Sequence, residues 1–166
     1  HLSIRRQRQM CIRDRWEGCK LTAYLCPADK WTIGYGITSD AGFGPITRGM
    51  TITQAQADGW LIVGLRKYEN AVKRAITREA TPEQFSAMVS LCFNIGPGAF
   101  AQSSIVRHFN AGKLGLAANA FHRWNKATVN GRLVVLQGLV RRRADEVSLF
   151  LSGTRSSTRP VVAPNP

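Results

Sequence analysis

The hydrophobic pattern changes period once, near residue 53, and that change limits what the chain can fold into. From Leu21 to Ile52 it reads as strand and turn. Tyr24, Trp31, Thr32, Ile33 and Tyr35 are β-formers, while Pro27, Gly34, Gly36, Gly42, Gly44 and Pro45 punctuate turns. From Thr53 onward the apolar residues recur at helical spacing. Leu61, Leu65, Tyr68, Val72 and Ile76 share one face, and Arg66, Lys67, Glu69 and Lys73 occupy the polar side. The pattern predicts an α+β, mainly helical fold. Two or three short strands form a small lobe, and a long helix capped by Thr53 and ending near Ile76 joins it to a second, helical lobe.

Beyond that helix, Thr81-Pro82-Glu83-Gln84 carries the marks of a helix start: a threonine cap, proline at the first position, and acidic and amide groups in the first turn. This helix takes in Phe85, Met88, Val89, Cys92 and Phe93 and stops at Gly96-Pro97-Gly98. Shorter helices are expected around Ser104–Asn110 and Leu114–Trp124, and a last one over about Leu139–Leu151. At 166 residues the chain reads as one folded domain over residues 16–151. Residues 152–166, SGTRSSTRPVVAPNP, are expected to be a disordered tail. Residues 1–15 form an atypical leader, because arginines interrupt every turn of any helix drawn through them. The run QMCIRDR resembles a translated adapter, so the leader is expected to have replaced a native helix start.

Lys and Arg number 23 against 10 Asp and Glu, a formal charge of +13. Such a field attracts polyanions, among them nucleic acid, anionic membranes and acidic wall polymers. No apolar run reaches the ~18 residues of a membrane span, and the leader lacks a signal-peptide core. The chain as read is expected to be made and kept in a cytoplasm. The four cysteines, Cys11, Cys19, Cys26 and Cys92, show no zinc-binding spacing, and free thiols are expected. Cys92, inside MVSLCFNI, reads as plain core.

The chemistry is concentrated in Trp16–Gly36. Gly18 reads as a C-cap glycine, which places Glu17 in a helix's last turn. There the negative end of the helix dipole, and any burial against Trp16 or Trp31, favour a protonated carboxyl of the kind a general acid needs. A surface glutamate at a helix end fits the same spacing. Cys26 and Thr32 can approach each other across a hairpin. Asp29 is a second carboxylate, three residues away from Cys26. Tyr35 and Trp31 read mainly as hairpin packing, and Phe93, Phe100 and Trp124 mainly as core of the second lobe.

Glu17, eight residues, Cys26, five residues and Thr32, followed by TIGYG, together resemble the motif of the phage lysozyme (endolysin) family, glycoside hydrolase family 24. Further resemblance lies in GPITRGMTIT (44–53), FNIGPGAF (93–100), RWN (123–125) and GLVRRRADE (138–146). It spans about residues 16–151. The resemblance implies a lysozyme-like fold and a muramidase that cleaves the β-1,4 bond between N-acetylmuramic acid and N-acetylglucosamine in peptidoglycan, so lysing a host cell. Glu17 would protonate the glycosidic oxygen. The family's Asp, here Cys26, would serve a water on the opposite face with help from Thr32, inverting the anomeric centre. A thiol of ordinary pKa ~8.5 is mostly neutral at pH 7, so Cys26 either positions water or is ionised by nearby arginines.

The resemblance also implies that an arginine of the last helix pairs with Glu17, and Arg142 is assigned that place, with Arg141 next. Tyr35, Phe93, Ser103, Ser104 and Asn125 are assigned to the glycan-facing wall. No metal or cofactor is expected. Peptidoglycan strands are the expected partner, with anionic outer-membrane lipid a further one and nucleic acid none. A monomer is expected, held in the host cytoplasm until released to the wall. Relatives locked by a disulfide at the catalytic cysteine raise the same possibility for Cys26 with Cys11 or Cys19. Ile37 stands where many members have His, and loss of that residue removes a structural contact only. The competing reading is a non-catalytic cationic wall- or membrane-binding protein on the same scaffold.

Overall fold

The computed structural model describes residues 18–26, 29–39, 42–155 and 162–164. They divide into two compact units, one up to Lys67 and one from Tyr68 onward. The leader and Glu17 lie outside the described residues.

The first unit holds an antiparallel sheet of β1 (Lys20–Leu25), β2 (Trp31–Gly34) and β3 (Ile37–Thr38), in the order β1-β2-β3. The register pairs Tyr24 with Thr32, Leu25 with Trp31 and Ile33 with Ile37, with an irregularity in β1 before Tyr24. The other edge of β1 is held by residues 50–52, where Ala23 N–H donates to Met50 O (2.8 Å) and Ile52 N–H to Leu21 O (2.9 Å). Alternation then sends Ile33, Tyr35 and Ile37 inward, where they are buried along with Ile46, Ile52, Ala57 and Leu61.

Helix α1 (Gln54–Ala75) starts as the sequence predicts. Thr53 Oγ1 accepts from Gln56 N–H (3.1 Å), and Gln56 Oε1 accepts in return from Thr53 N–H (2.9 Å), a reciprocal cap for two otherwise unmet donors. Its apolar face buries Leu61, Leu65, Val72 and Ile76. The helix begins in the first unit and ends in the second.

In the second unit α2 (Pro82–Ile95) is the central element, and every residue from Glu83 to Cys92 is buried. A second capping box, Thr81 with Gln84, starts it. Then come α3 (Pro97–Ala101), α4 (Ser104–Asn110), α5 (Leu114–Phe121) and α6 (Gln137–Ser152). Phe109 and Phe121 meet Phe150 of α6 at ring-centroid distances of 6.0 and 5.6 Å. Rings buried this way stabilise the lobe by about 1.5–3 kcal/mol each.

Several features depart from the sequence expectations, among them α3, which begins at Pro97 where only a helix stop was expected. Helix α5 ends at Phe121, short of Trp124. A second hairpin, β4 (Lys126–Val129) and β5 (Arg132–Val135), occupies a stretch for which no strand was expected. Its turn is Asn130-Gly131, with φ of 49° and 75°, and Asn-Gly between two strand-forming runs is the strongest local hairpin signal. The tail is not structureless at Val162, which is buried and exchanges two backbone hydrogen bonds with Ala80.

Candidate active site

In the first unit the hairpin β1–β2 brings Cys26 and Thr32 together. Cys26 N–H donates to Lys30 O (3.0 Å), just past the last strand pair, and Thr32 Oγ1 donates to that same carbonyl (3.0 Å). Because Cys26 sits opposite Lys30, Thr32 is its diagonal neighbour on one face of the hairpin. The shared acceptor fixes the side-chain torsion of Thr32 and the backbone of Cys26 at one point. Thr32 is only 3% exposed. Since its hydroxyl proton is engaged, the oxygen is left to act as an acceptor. Cys26 and Cys19 are both half-buried. Asp29 closes the turn, its N–H donating to Cys26 O (2.9 Å); it is exposed, with a φ of 54°.

Tyr35, expected on the glycan-facing wall, is turned into the first unit. It is 4% exposed, and its hydroxyl donates to Asp58 Oδ1 (3.0 Å) and accepts from Gln54 Nε2 (3.0 Å). Its hydroxyl therefore ties the first hairpin to the first turns of α1.

In the second unit the three consecutive arginines divide. Arg141 is exposed, whereas Arg142 and Arg143 turn inward onto Glu146, one turn further along α6. Glu146 is 0% exposed. Its Oε1 accepts from Ser90 Oγ (2.6 Å), Arg143 Nη2 (3.0 Å) and Arg142 Nε (3.3 Å). Arg143 Nε lies 2.8 Å from Oε2, a charge contact without hydrogen-bond alignment. Arg142 Nη2 also donates to Ser90 O (3.3 Å), and Arg143 Nη1 to Asn94 Oδ1 (3.1 Å) and Trp124 O (3.4 Å). Burial pushes the Glu146 carboxyl above its ordinary range, while the two guanidiniums, Arg143 foremost, pull it back. Two buried cations on one carboxylate hold α6 against α2 and fix the Arg142 side chain.

The other expected wall residues divide in the same way. Ser103 is buried, and its Oγ caps α4 by accepting from Val106 N–H (3.4 Å), so that hydroxyl has a structural duty. Phe93 packs edge-on against Tyr68, centroids 4.9 Å apart. Ser104 and Asn125 are half-buried, and Asn125 O accepts from Leu136 N–H (3.0 Å) at the base of the second hairpin. Cys92 is core as expected, its thiol pushed up to about 12 by burial. Glu146 and Ser90 were missed from the sequence. The only available sign was an acid one turn after paired arginines.

Residues 14–146 match the family model described as phage lysozyme. The endolysin of Acyrthosiphon pisum secondary endosymbiont phage 1 is 36% identical over 146 residues, which is 88% of this chain and 97% of that one. Among solved structures, the endolysin from Escherichia coli O157:H7 phage FAHEc1 superposes with a TM-score of 0.82 at 36% identity, covering 93% of this chain and 94% of its own. The muramidase domain of SpmX from Asticaccaulis excentricus gives 0.79 at 39% identity, over 87% of this chain and 95% of that domain.

Proposed function

The chain belongs to the phage lysozyme family, and from that membership we propose how its residues divide the work of cutting a wall glycan. It is a peptidoglycan-hydrolysing endolysin, a muramidase of the glycoside hydrolase class. Glu17 is the general acid that protonates the oxygen leaving N-acetylmuramic acid. Cys26 and Thr32 hold the attacking water on the opposite face, and the product is the inverted anomer. Inverting pairs stand about 6.5–9.5 Å apart to admit that water.

The observation that carries this division is the Lys30 carbonyl, which holds both Cys26 and Thr32. With its proton engaged there, Thr32 Oγ1 can accept one hydrogen of the water and leave the lone pair on the water oxygen to attack. Cys26 stands where the family pattern has Asp or Cys, so its sulfur, as the thiolate, accepts the proton that the water loses as its oxygen bonds to the anomeric carbon. Arg142, fixed by Glu146 and Ser90, is the proposed partner of Glu17. The reaction as proposed needs neither metal nor cofactor, and the chain works as a monomer after its release to the wall.

Glu17→Gln tests this reading, since it removes the acid and changes net charge little. Mass analysis of muropeptides from purified sacculi should show reducing N-acetylmuramic acid ends with the natural chain and a loss of at least ~100-fold with the variant, the usual weight of general acid catalysis. Sacculi cleared equally fast by both proteins would refute it and favour killing by charge.

A further inference from the structure

The hairpin β4–β5 has no place in the chemistry above, and its composition is unusual for an antiparallel pair. Such sheets normally bury one face and wet the other. Here the register Lys126↔Val135, Ala127↔Val134, Thr128↔Leu133 and Val129↔Arg132 puts aliphatic side chains on both faces. Leu133 is 67% exposed and Val135 49%, and Val129, Val134 and Leu136 are exposed as well. The backbone is firmly set all the same, by four paired positions, a left-handed Asn130-Gly131 turn and the Leu136–Asn125 hydrogen bond at the base. A well-registered ribbon that exposes aliphatic residues on both faces marks an interaction surface.

Charge identifies the partner. Between Glu83 and Asp145 the chain contains no Asp or Glu, while Arg107, Lys113, Arg123, Lys126, Arg132 and Arg141 are exposed in that stretch. Lys126 marks the base of the hairpin and Arg132 its tip. We propose that the hairpin Lys126–Val135 is a docking element for an anionic phospholipid bilayer. The face carrying Leu133 and Val135 enters the boundary between headgroups and acyl chains, and Lys126 and Arg132 reach lipid phosphates.

The geometry suits that partner. A ribbon lying in the surface plane can set its apolar face at the ~5–10 Å depth of interfacial elements. Lysine and arginine can bury their stems while the charged ends stay at the phosphates. A glycan strand would call for aromatic platforms, and the two strands carry none. A second copy of the chain would bring another +13 against the same cations.

The test is co-sedimentation of the full chain with vesicles of phosphatidylglycerol and phosphatidylethanolamine, against vesicles of phosphatidylcholine. Binding to the anionic vesicles alone is expected. The double variant Leu133→Ser, Val135→Ser keeps the charge and should bind at least ~10-fold more weakly. Lys126→Gln and Arg132→Gln should each weaken binding about fivefold at low salt. Far-ultraviolet dichroism and hydrolysis of lipid-free peptidoglycan should not change in any of these variants. The proposal is overturned if the double variant partitions like the natural chain, or if phosphatidylcholine binds as well. Peptidoglycan hydrolysis falling in step with vesicle binding would assign the hairpin to the glycan. A natural chain that sediments as a dimer, with the double variant a monomer, would assign it to self-association. Neither the vesicle assay nor its failure depends on Glu17, so the outcome is separable from that of the muramidase reading.

Discussion

Removing Arg143 should expose how the second unit is held together. Arg143→Met keeps most of the side-chain volume and deletes a guanidinium that is wholly buried. Glu146, Asn94 and the Trp124 carbonyl would each be left without that guanidinium. Breaking one partner of a buried ion pair costs about 3–5 kcal/mol, most of it from the charge left behind. With a urea m-value of about 2 kcal/mol/M, the midpoint should fall by about 2 M.

The cost should also depend on pH. Arg143 is the leading charge that draws the Glu146 carboxyl down against burial. Without it the folded-state pKa rises further above the ordinary 4.5. The folded state then holds that proton more tightly than the unfolded one. The group's contribution to stability is therefore retained at low pH and lost as pH climbs from 4.5 through the raised folded value. The deficit of Arg143→Met should be larger at pH 8 than at pH 4, and Glu146→Leu in the same background should abolish that slope. A double-mutant cycle of Arg143→Met and Glu146→Leu should couple by about 1–3 kcal/mol. A midpoint shift under about 0.5 M, or additive single effects, would refute the reasoning.

Other perturbations probe the local contacts. Gly153→Ala should destabilise by about 2 kcal/mol or more in thermal melts, because its Cβ would collide with Thr81 Oγ1 and crowd Glu83 and Gln84 at the start of α2. Tyr35→Phe should cost only about 1 kcal/mol, since Gln54 and Asp58 keep their own 2.8 Å hydrogen bond. Thr32→Val keeps the shape but removes the Lys30 hydrogen bond and, with it, the proposed acceptor for the water. It should lower kcat on sacculi by about tenfold or more while leaving KM nearly unchanged, an effect confined to the transition state. Cys26→Asp should keep more activity than Cys26→Ala, and equal rates would remove Cys26 from the chemistry.

Much of this protein was open to reading from the chain alone, because the governing interactions are short-range. The Thr53–Gln56 and Thr81–Gln84 caps join residues three apart, so the starts of α1 and α2 follow from the text itself. The change from strand to helical periodicity near Thr53 determined the α+β character. The spacing of Glu17, Cys26 and Thr32 carried the family resemblance. The second hairpin goes beyond the sequence expectation, although the local signal for its turn, Asn130-Gly131, is in the chain.

Partner choice between distant residues belonged to the tertiary structure. Successive helical residues point about 100° apart, so three consecutive arginines reveal nothing of which two face inward until α6 meets Ser90 and Asn94 on α2. Tyr35 reads mainly as packing, but the sequence names no partner for its hydroxyl, which Asp58 supplies from α1. Thr32 could have offered a proton or a lone pair, and the hairpin register settled this by placing the Lys30 carbonyl beneath it. Periodicity and capping are decided within a turn or a strand. A buried polar group takes its partner from whatever the packed chain brings within hydrogen-bonding distance.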